Sequence, residues 1–250
     1  MAKKTSEKAQ VYIIGESPMV EKYAELCARH GYGVVAFLGP QQKSQQPLGH
    51  GIKKSEVVPK NCSLGIDLTN TDLEAKRKNL QRLDTALPAT SVILSSSVTV
   101  SATEQSGWIR GKHRLVGFCA LPTLTDRPFV EVAPTVSSPK ETLEVVSRFF
   151  RSVGKDIEIV QDRVGMVMPR ILCQLVNESM FALMENVASP QDIDTAMKLG
   201  ANYPKGPIEW AEKIGINQVY AVLLALQCDL GEDRYRVAPL LRQLAQTSRP

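Results

Sequence analysis

Between Arg163 and Ile216 the chain reads RVGMVMPRILCQLVNESMFALMENVASPQDIDTAMKLGANYPKGPIEWAEKIGI, and this stretch leaves few folds open. Val167, Ile171, Leu172, Leu175, Phe181 and Met184 recur at spacings of three, four and seven, which predicts a helix with a buried apolar stripe. Ser189 is placed to cap a second helix, with Pro190 in its first turn, Asp192 and Asp194 near its positive end and Gly200 to stop it. Pro204, Gly206 and Pro207 then break the chain before a third helix from Ile208 to Lys213. An all-α C-terminal domain follows.

Ahead of it the period changes. VYIIG (11–15) is an apolar run closed by glycine, a helical stretch runs from Met19 to His30, and Val34 to Leu38 is a second strand, which together open a βαβ unit. SLGID after Cys62, SVILSSS (91–97), RLVGF (114–118) and DIEIV (156–160) read as further strands, with PFVEV (128–132) antiparallel or close to its neighbour. Helices are expected over Asp72–Leu83, with Leu73, Lys76, Leu80 and Leu83 along it, over Ser101–Trp108, and over 141–154 with Leu143, Val146, Phe149, Phe150 and Val153 on its apolar face. The stretch 39–62, rich in Gln, Gly, Pro and Lys, shows no period and reads as a surface loop in which His50 is solvent-exposed. The expected architecture is a shortened α/β Rossmann-like domain over 1–161 followed by the helical domain over 162–250.

At 250 residues with 43% apolar side chains, the chain has material for two domains and a real core. No apolar run approaches the ~20 residues of a membrane-spanning helix, and MAKKTSEKAQ leads into VYIIG without the apolar segment of a signal peptide, so the expected location is the cytoplasm. Cys27, Cys62, Cys119, Cys173 and Cys228 are scattered singly, which argues against a disulfide framework and against a zinc site. The net charge of +4 comes largely from Lys3, Lys4, Lys43, Lys53, Lys54 and Lys60, either a solvated surface or a patch for an anionic small molecule. Basic residues are not interleaved with aromatics and no recognition motif is present, so nucleic acid is not an expected partner.

The turn after VYIIG is where a dinucleotide-binding protein carries G-x-G-x-x-G, with an acidic residue about 20 residues on for the ribose. Gly15 is present, but Ser17 and Val20 stand at the second and third glycine positions and Leu38 at the acidic one. Ser17 keeps the backbone from a pyrophosphate, Val20 pushes the helix from the strand, and Pro18 lacks an amide hydrogen at the helix start. Glu16 adds a carboxylate where phosphate would lie, a repulsion of up to about 4 kcal/mol at ~4 Å and an effective dielectric near 20.

The segment VASPQDIDTAMKLGANYPKGPIEWAEKIG (187–215) closely resembles the C-terminal domain of the 3-hydroxyacyl-CoA dehydrogenases, and the resemblance extends more weakly over about residues 11–245. It implies an NAD cofactor, an acyl-CoA ligand, and a homodimer formed through the helical domain. It also implies a general base, a His paired with a Glu, assisted by a Ser and an Asn at the reacting oxygen. In RLVGFCALPTLTDRPFVEV, Cys119 stands at the His position and Glu131 at the Glu. Val98 stands at the Ser position, and in VGMVMPR Pro169 stands at the Asn position while Gly165 and Arg170 are kept. A thiol beside a carboxylate is a poor base, since the anion raises its pKa. Glu131, left without its imidazole, is expected to bind backbone or Arg170. Asn177, Glu178, Tyr203 and Trp210 read as core and interface residues.

Three functional readings follow from the resemblance. The first is a member that has lost hydride transfer and ordinary NAD binding and persists as a dimeric binding or scaffold protein. The second is an active NAD-dependent 3-hydroxyacyl-CoA or 3-hydroxybutyryl-CoA dehydrogenase using Cys119 and Glu131 in another way. The third is a subunit that docks on a full-length homologue.

Overall fold

The computed structural model of the chain describes residues 9–39 and 48–247. Its core is a sheet of eight strands in the order β3-β2-β1-β4-β5-β6-β7-β8. Strands β1 (Gln10–Gly15), β2 (Gly33–Leu38), β3 (Ile52–Lys54), β4 (Cys62–Leu68), β5 (Val92–Ser96) and β6 (Leu115–Phe118) run parallel. β7 (Phe129–Pro134) is antiparallel to β6, as its sequence predicts, and β8 (Asp156–Ile159) runs parallel to β7. Val11, Tyr12, Ile13 and Ile14 of β1 are all buried because helices cover both faces of the sheet, which explains the unbroken apolar run.

Helices α1 (Met19–Arg29) and α4 (Lys140–Ser152) cover one face, where Tyr23, Phe118, Phe149 and Phe150 form a chain of tilted and edge-on ring contacts. Helices α2 (Leu73–Ala86) and α3 (Ala102–Ser106) cover the other. Asp72 caps α2 by accepting from the Ala75 amide, and Ser101 caps α3 through the Glu104 amide. One expectation for α2 needs correction. Leu73 is about half exposed, whereas Lys76 is fully buried, donating to Asp67 Oδ2 at 2.5 Å and to the Thr69 carbonyl at 2.9 Å. Buried ion pairs of this kind hold only when every lone pair is met, and here Ser95, Thr69 and Asn79 donate the remaining bonds to Asp67.

The stretch 39–62 also needs correction, because it contains β3, whose three residues pair with Val34–Ala36 of β2. The Tyr12 hydroxyl pins the following turn by donating to the Glu56 carbonyl at 2.9 Å. His50 is exposed, as expected, and residues 40–47 of the predicted loop lie outside the described residues.

The chain then enters α5 (Met168–Met184), α6 (Pro190–Gly200), α7 (Pro207–Ile214), α8 (Ile216–Leu230) and α9 (Pro239–Thr247). Ser189 caps α6 through the Asp192 amide, as its sequence predicts. Asp194 on α6 caps α7 in turn, accepting from the amides of Ile208 and Glu209. Gly206 is required there, since a Cβ would lie 2.1 Å from the Asp194 carboxylate. The predicted stripe on α5 is corrected. The helix carries Arg170, Gln174 and Glu178 along one face, and it buries Leu172, Cys173, Val176 and Met180 against α7, α8 and α9. Val167, Ile171 and Met184 are left exposed. Asn177 is buried as expected, its amide clamping the turn before α9 through the Arg236 carbonyl and the Ala238 amide. Trp210 is buried, while Tyr203 is partly and Glu178 fully exposed.

Candidate functional site

In an open α/β sheet the ligand crevice lies beyond the carboxyl ends of the strands, where the strand order reverses. Here that point falls between β1 and β4, and it is spanned from within. Gly15 has φ +146° and a Cβ on it would come within 2.6 Å of the Leu68 backbone, so the glycine is needed for the contact between the two strands. The next residue, Glu16, is 4% exposed. Its Oε1 accepts from the Thr71 amide at 2.9 Å, the Thr71 hydroxyl at 2.8 Å and the Asp72 amide at 3.2 Å. Its Oε2 accepts from Gln218 Nε2 at 3.1 Å. The carboxylate therefore sits at the positive end of α2 and reaches α8 across the crevice. Ser17, at the second glycine position, donates to Glu21 at 2.8 Å, Val20 packs in the sheet core without displacing α1, and Leu38 is buried.

Asn70 extends the bridge. Its amide donates to Gln218 Oε1 at 2.9 Å and to the Ala120 carbonyl at 2.8 Å, while its own oxygen accepts from Ser96 and its carbonyl from Thr99. Thr99 and Ser97, the two hydroxyls nearest the missing Ser, are thus inward-facing: Thr99 bonds Asn70, and Ser97 bonds the Ser95 carbonyl and accepts from Gln105.

Val98, Cys119 and Pro169, which the resemblance sets at the Ser, His and Asn positions, are all buried. Val98 and Cys119 belong to one apolar cluster that also holds Leu121 and Leu124 and, from the helical domain, Cys173, Val176, Trp210 and Leu226. A direct bond from the Gly165 amide to the Val98 carbonyl, 3.0 Å, closes the seam. Burial, the charge of Glu131 and the neighbouring Cys173 hold the Cys119 thiol well above the ordinary thiol range, which disfavours its thiolate.

Glu131, 4% exposed, accepts from the amides of Val167 and Met168, each at 2.8 Å. It thus caps α5 with both oxygens, which is the backbone role expected of it; Arg170 is not its partner and donates instead to the Val164 carbonyl at 2.7 Å. Beside it Cys119, Leu124, Arg127, Phe129 and Met168 enclose a cavity of about 10 Å³, the room of a single water.

Sequence reasoning missed Asn70, Thr71 and Gln218, and read Glu16 only as a charge that repels phosphate. The N-T-D run at 70–72 marks a helix start and was a usable signal for donors. Nothing local marks Gln218, which lies 202 positions from Glu16. Among the described residues no group of three His, Cys, Asp or Glu side chains is arranged to hold a metal ion, and no helix is long and apolar enough to cross a membrane.

Comparison with known proteins agrees with this fold. Residues 41–163 match the profile of the 3-hydroxyacyl-CoA dehydrogenase NAD binding domain, and residues 165–250 that of the 3-hydroxyacyl-CoA dehydrogenase C-terminal domain. The 3-hydroxybutyryl-CoA dehydrogenase of Bradyrhizobium diazoefficiens is 29% identical over 181 residues, 72% of this chain and 62% of that protein. A probable 3-hydroxybutyryl-CoA dehydrogenase of Bacillus subtilis is 29% identical over 73% of this chain and 64% of its own length. The match therefore spans less than two thirds of these relatives. Among solved structures, (S)-3-hydroxybutyryl-CoA dehydrogenase PaaH1 from Ralstonia eutropha superposes with a TM-score of 0.78 at 24% identity, covering 96% of this chain and 94% of that one. FadB2 of M. tuberculosis superposes with a TM-score of 0.84 at 17% identity, over 97% and 95% of the two chains, and shares the fold. With both of its domains matched in order, the chain belongs to the 3-hydroxyacyl-CoA dehydrogenase family.

Proposed function

We propose that this 3-hydroxyacyl-CoA dehydrogenase-like protein has lost NAD-dependent hydride transfer and works in the cytoplasm as a dimeric binding or scaffold protein of acyl-CoA metabolism. The observation that carries this reading is the burial of Val98 and Cys119 in the apolar cluster shared by the two domains. Hydride transfer needs a base, a hydroxyl donor and room for two ligands between sheet and helices. Here the thiol is held neutral, Glu131 is engaged with α5, and the space beside them admits one water. A dinucleotide does not fit the first turn, because Glu16 already occupies the donors at the switch point and Leu38 offers the ribose no acceptor.

Dimerisation through the helical domain is supported by apolar side chains that one chain leaves uncovered: Val167, Ile171, Met184, Val187, Leu199 and Leu224, all 40% exposed or more. Exposed Lys53 and Lys54 on the edge strand β3 support an anionic ligand such as an acyl-CoA, held without redox chemistry.

The test mixes the purified protein with NAD and 3-hydroxybutyryl-CoA and follows NADH formation, with NADH binding read separately by its fluorescence. The expected result is neither turnover nor binding. Turnover lost on Cys119→Ala would establish the active-dehydrogenase reading in its place. Sedimentation should give a dimer that Val187→Asp with Leu199→Asp dissociates, and a wild-type monomer would remove the dimeric part of the proposal.

A further inference from the structure

We propose that Glu16 is a built-in ligand: its carboxylate fills a carboxylate site formed between the two domains and latches them together. The inference rests on the reading that no dinucleotide uses this crevice, and it says what took the cofactor's place.

Four donors converge on one side chain, and they come from both domains. Thr71 and Asp72 present the first amides before α2, the Thr71 hydroxyl adds a third donor, and Gln218 supplies the fourth from α8. Gln218 is itself 7% exposed and fixed by Asn70 through its other amide atom, so its NH2 group is held facing Glu16. Among the described residues no lysine or arginine forms an ion pair with Glu16. Its charge is met by neutral donors and the positive end of α2 alone. One oxygen collects the three donors of the 70–72 turn and the other takes the donor from the helical domain. That division suits a bridging carboxylate with two separated oxygens, and it makes the side chain a link between sheet and helices.

The site is built for an anion whether or not the anion is tethered. Removing the side chain leaves a cradle of four donors with no acceptor, two of them amides just before helix α2, a state that disfavours the folded chain. A small free carboxylate of the right size then binds the folded form and restores stability by mass action. Formate and acetate are the matching probes.

The experiment compares thermal unfolding of wild type, E16A and E16A/Q218A in sodium formate or sodium acetate against sodium chloride at equal ionic strength. Removing the carboxylate is expected to lower Tm by roughly 5–10 °C. Formate should raise the Tm of E16A with a saturable dependence beyond that of chloride, leave wild type at the chloride value, and lose its effect in E16A/Q218A. A wild-type Tm for E16A, or a formate response equal in all three proteins or absent from E16A, overturns the proposal. Should E16A not accumulate as folded protein, E16Q is read instead. A neutral side chain that still fills the cradle is expected to lower Tm and show no formate response, and a wild-type Tm for E16Q overturns the latch. NADH binding by wild type would instead strike the reading on which the latch rests, so the two failures are separable.

Discussion

Glu131→Ala separates a carboxylate kept for the fold from one kept for a reaction. The side chain is 4% exposed and makes two charge-assisted bonds of 2.8 Å to the Val167 and Met168 amides at the start of α5. A hydrogen bond to a charged group contributes ~1.5–3 kcal/mol, and truncation also strands the buried amides, so the expected loss is about 3–5 kcal/mol. In a chain of this size each kcal/mol moves Tm by roughly 2–4 °C, which puts the fall at about 6–20 °C. Urea unfolding followed by far-ultraviolet circular dichroism gives the free energy, and a thermal melt gives the shift. Glu131→Gln keeps one acceptor oxygen and should lose about half as much. A loss below about 1 kcal/mol for Glu131→Ala would refute the capping argument, because a carboxylate held only to orient a reacting partner is neutral or stabilising to remove.

Other outcomes follow from the same geometry. Cys119→His, which restores the family's imidazole, should yield no NAD-dependent turnover and should cost about 1–3 kcal/mol, since the ring must enter a cavity of about 10 Å³; assay and urea titration together check it. Native protein should show one rapidly reacting thiol with an aromatic disulfide reagent at neutral pH, that of exposed Cys228. Cys27, Cys62, Cys119 and Cys173 are buried with their pKa values raised by burial, and should react only on unfolding. Asp84 should make stability acid-sensitive. Burial alone would raise its pKa, but hydrogen bonds from Arg114 and from the Arg110 and Gly111 amides outweigh it and hold the carboxyl below its ordinary value. Its contribution is therefore complete above the unfolded carboxylate value near ~4 and is lost as pH falls through the depressed one. Asp84→Asn should flatten this part of the acid unfolding curve, and an unchanged curve would remove Asp84 from the account.

Local order was readable wherever the signal was local. The Ser189 cap, the proline and glycine breaks at 204–207 and, β3 apart, the strand–helix alternation from Gln10 to Ile159 stand where the sequence placed them. The nearness of Cys119 to a carboxylate, Glu131, also followed from the sequence resemblance, and the clash of thiol chemistry with that neighbour from residue type alone. Periodicity missed the buried row on α5, because apolar residues stand at Val167, Ile171 and Met184 as well as at Leu172, Val176 and Met180, and packing against α7, α8 and α9 chose the latter. It set Lys76 in the row with Leu80 and Leu83, where it is buried, but not its partner, since a cation in an apolar row is buried only if a distant strand supplies Asp67.

The amino-acid order by itself determined the class of fold and the order of its strands and helices, and it put Cys119, Val98 and Pro169 where the family resemblance expects imidazole, hydroxyl and amide, because each is a property of residue type and short-range spacing. Tertiary structure alone decided what filled the space those groups left. Glu16 is a mere surplus charge until Thr71, Asp72 and Gln218 converge on it, and Val98 and Cys119 are ordinary small side chains until the helical domain packs over them. Both outcomes depend on contacts between segments far apart in the chain, where burial and hydrogen-bond satisfaction are settled only by the assembled whole.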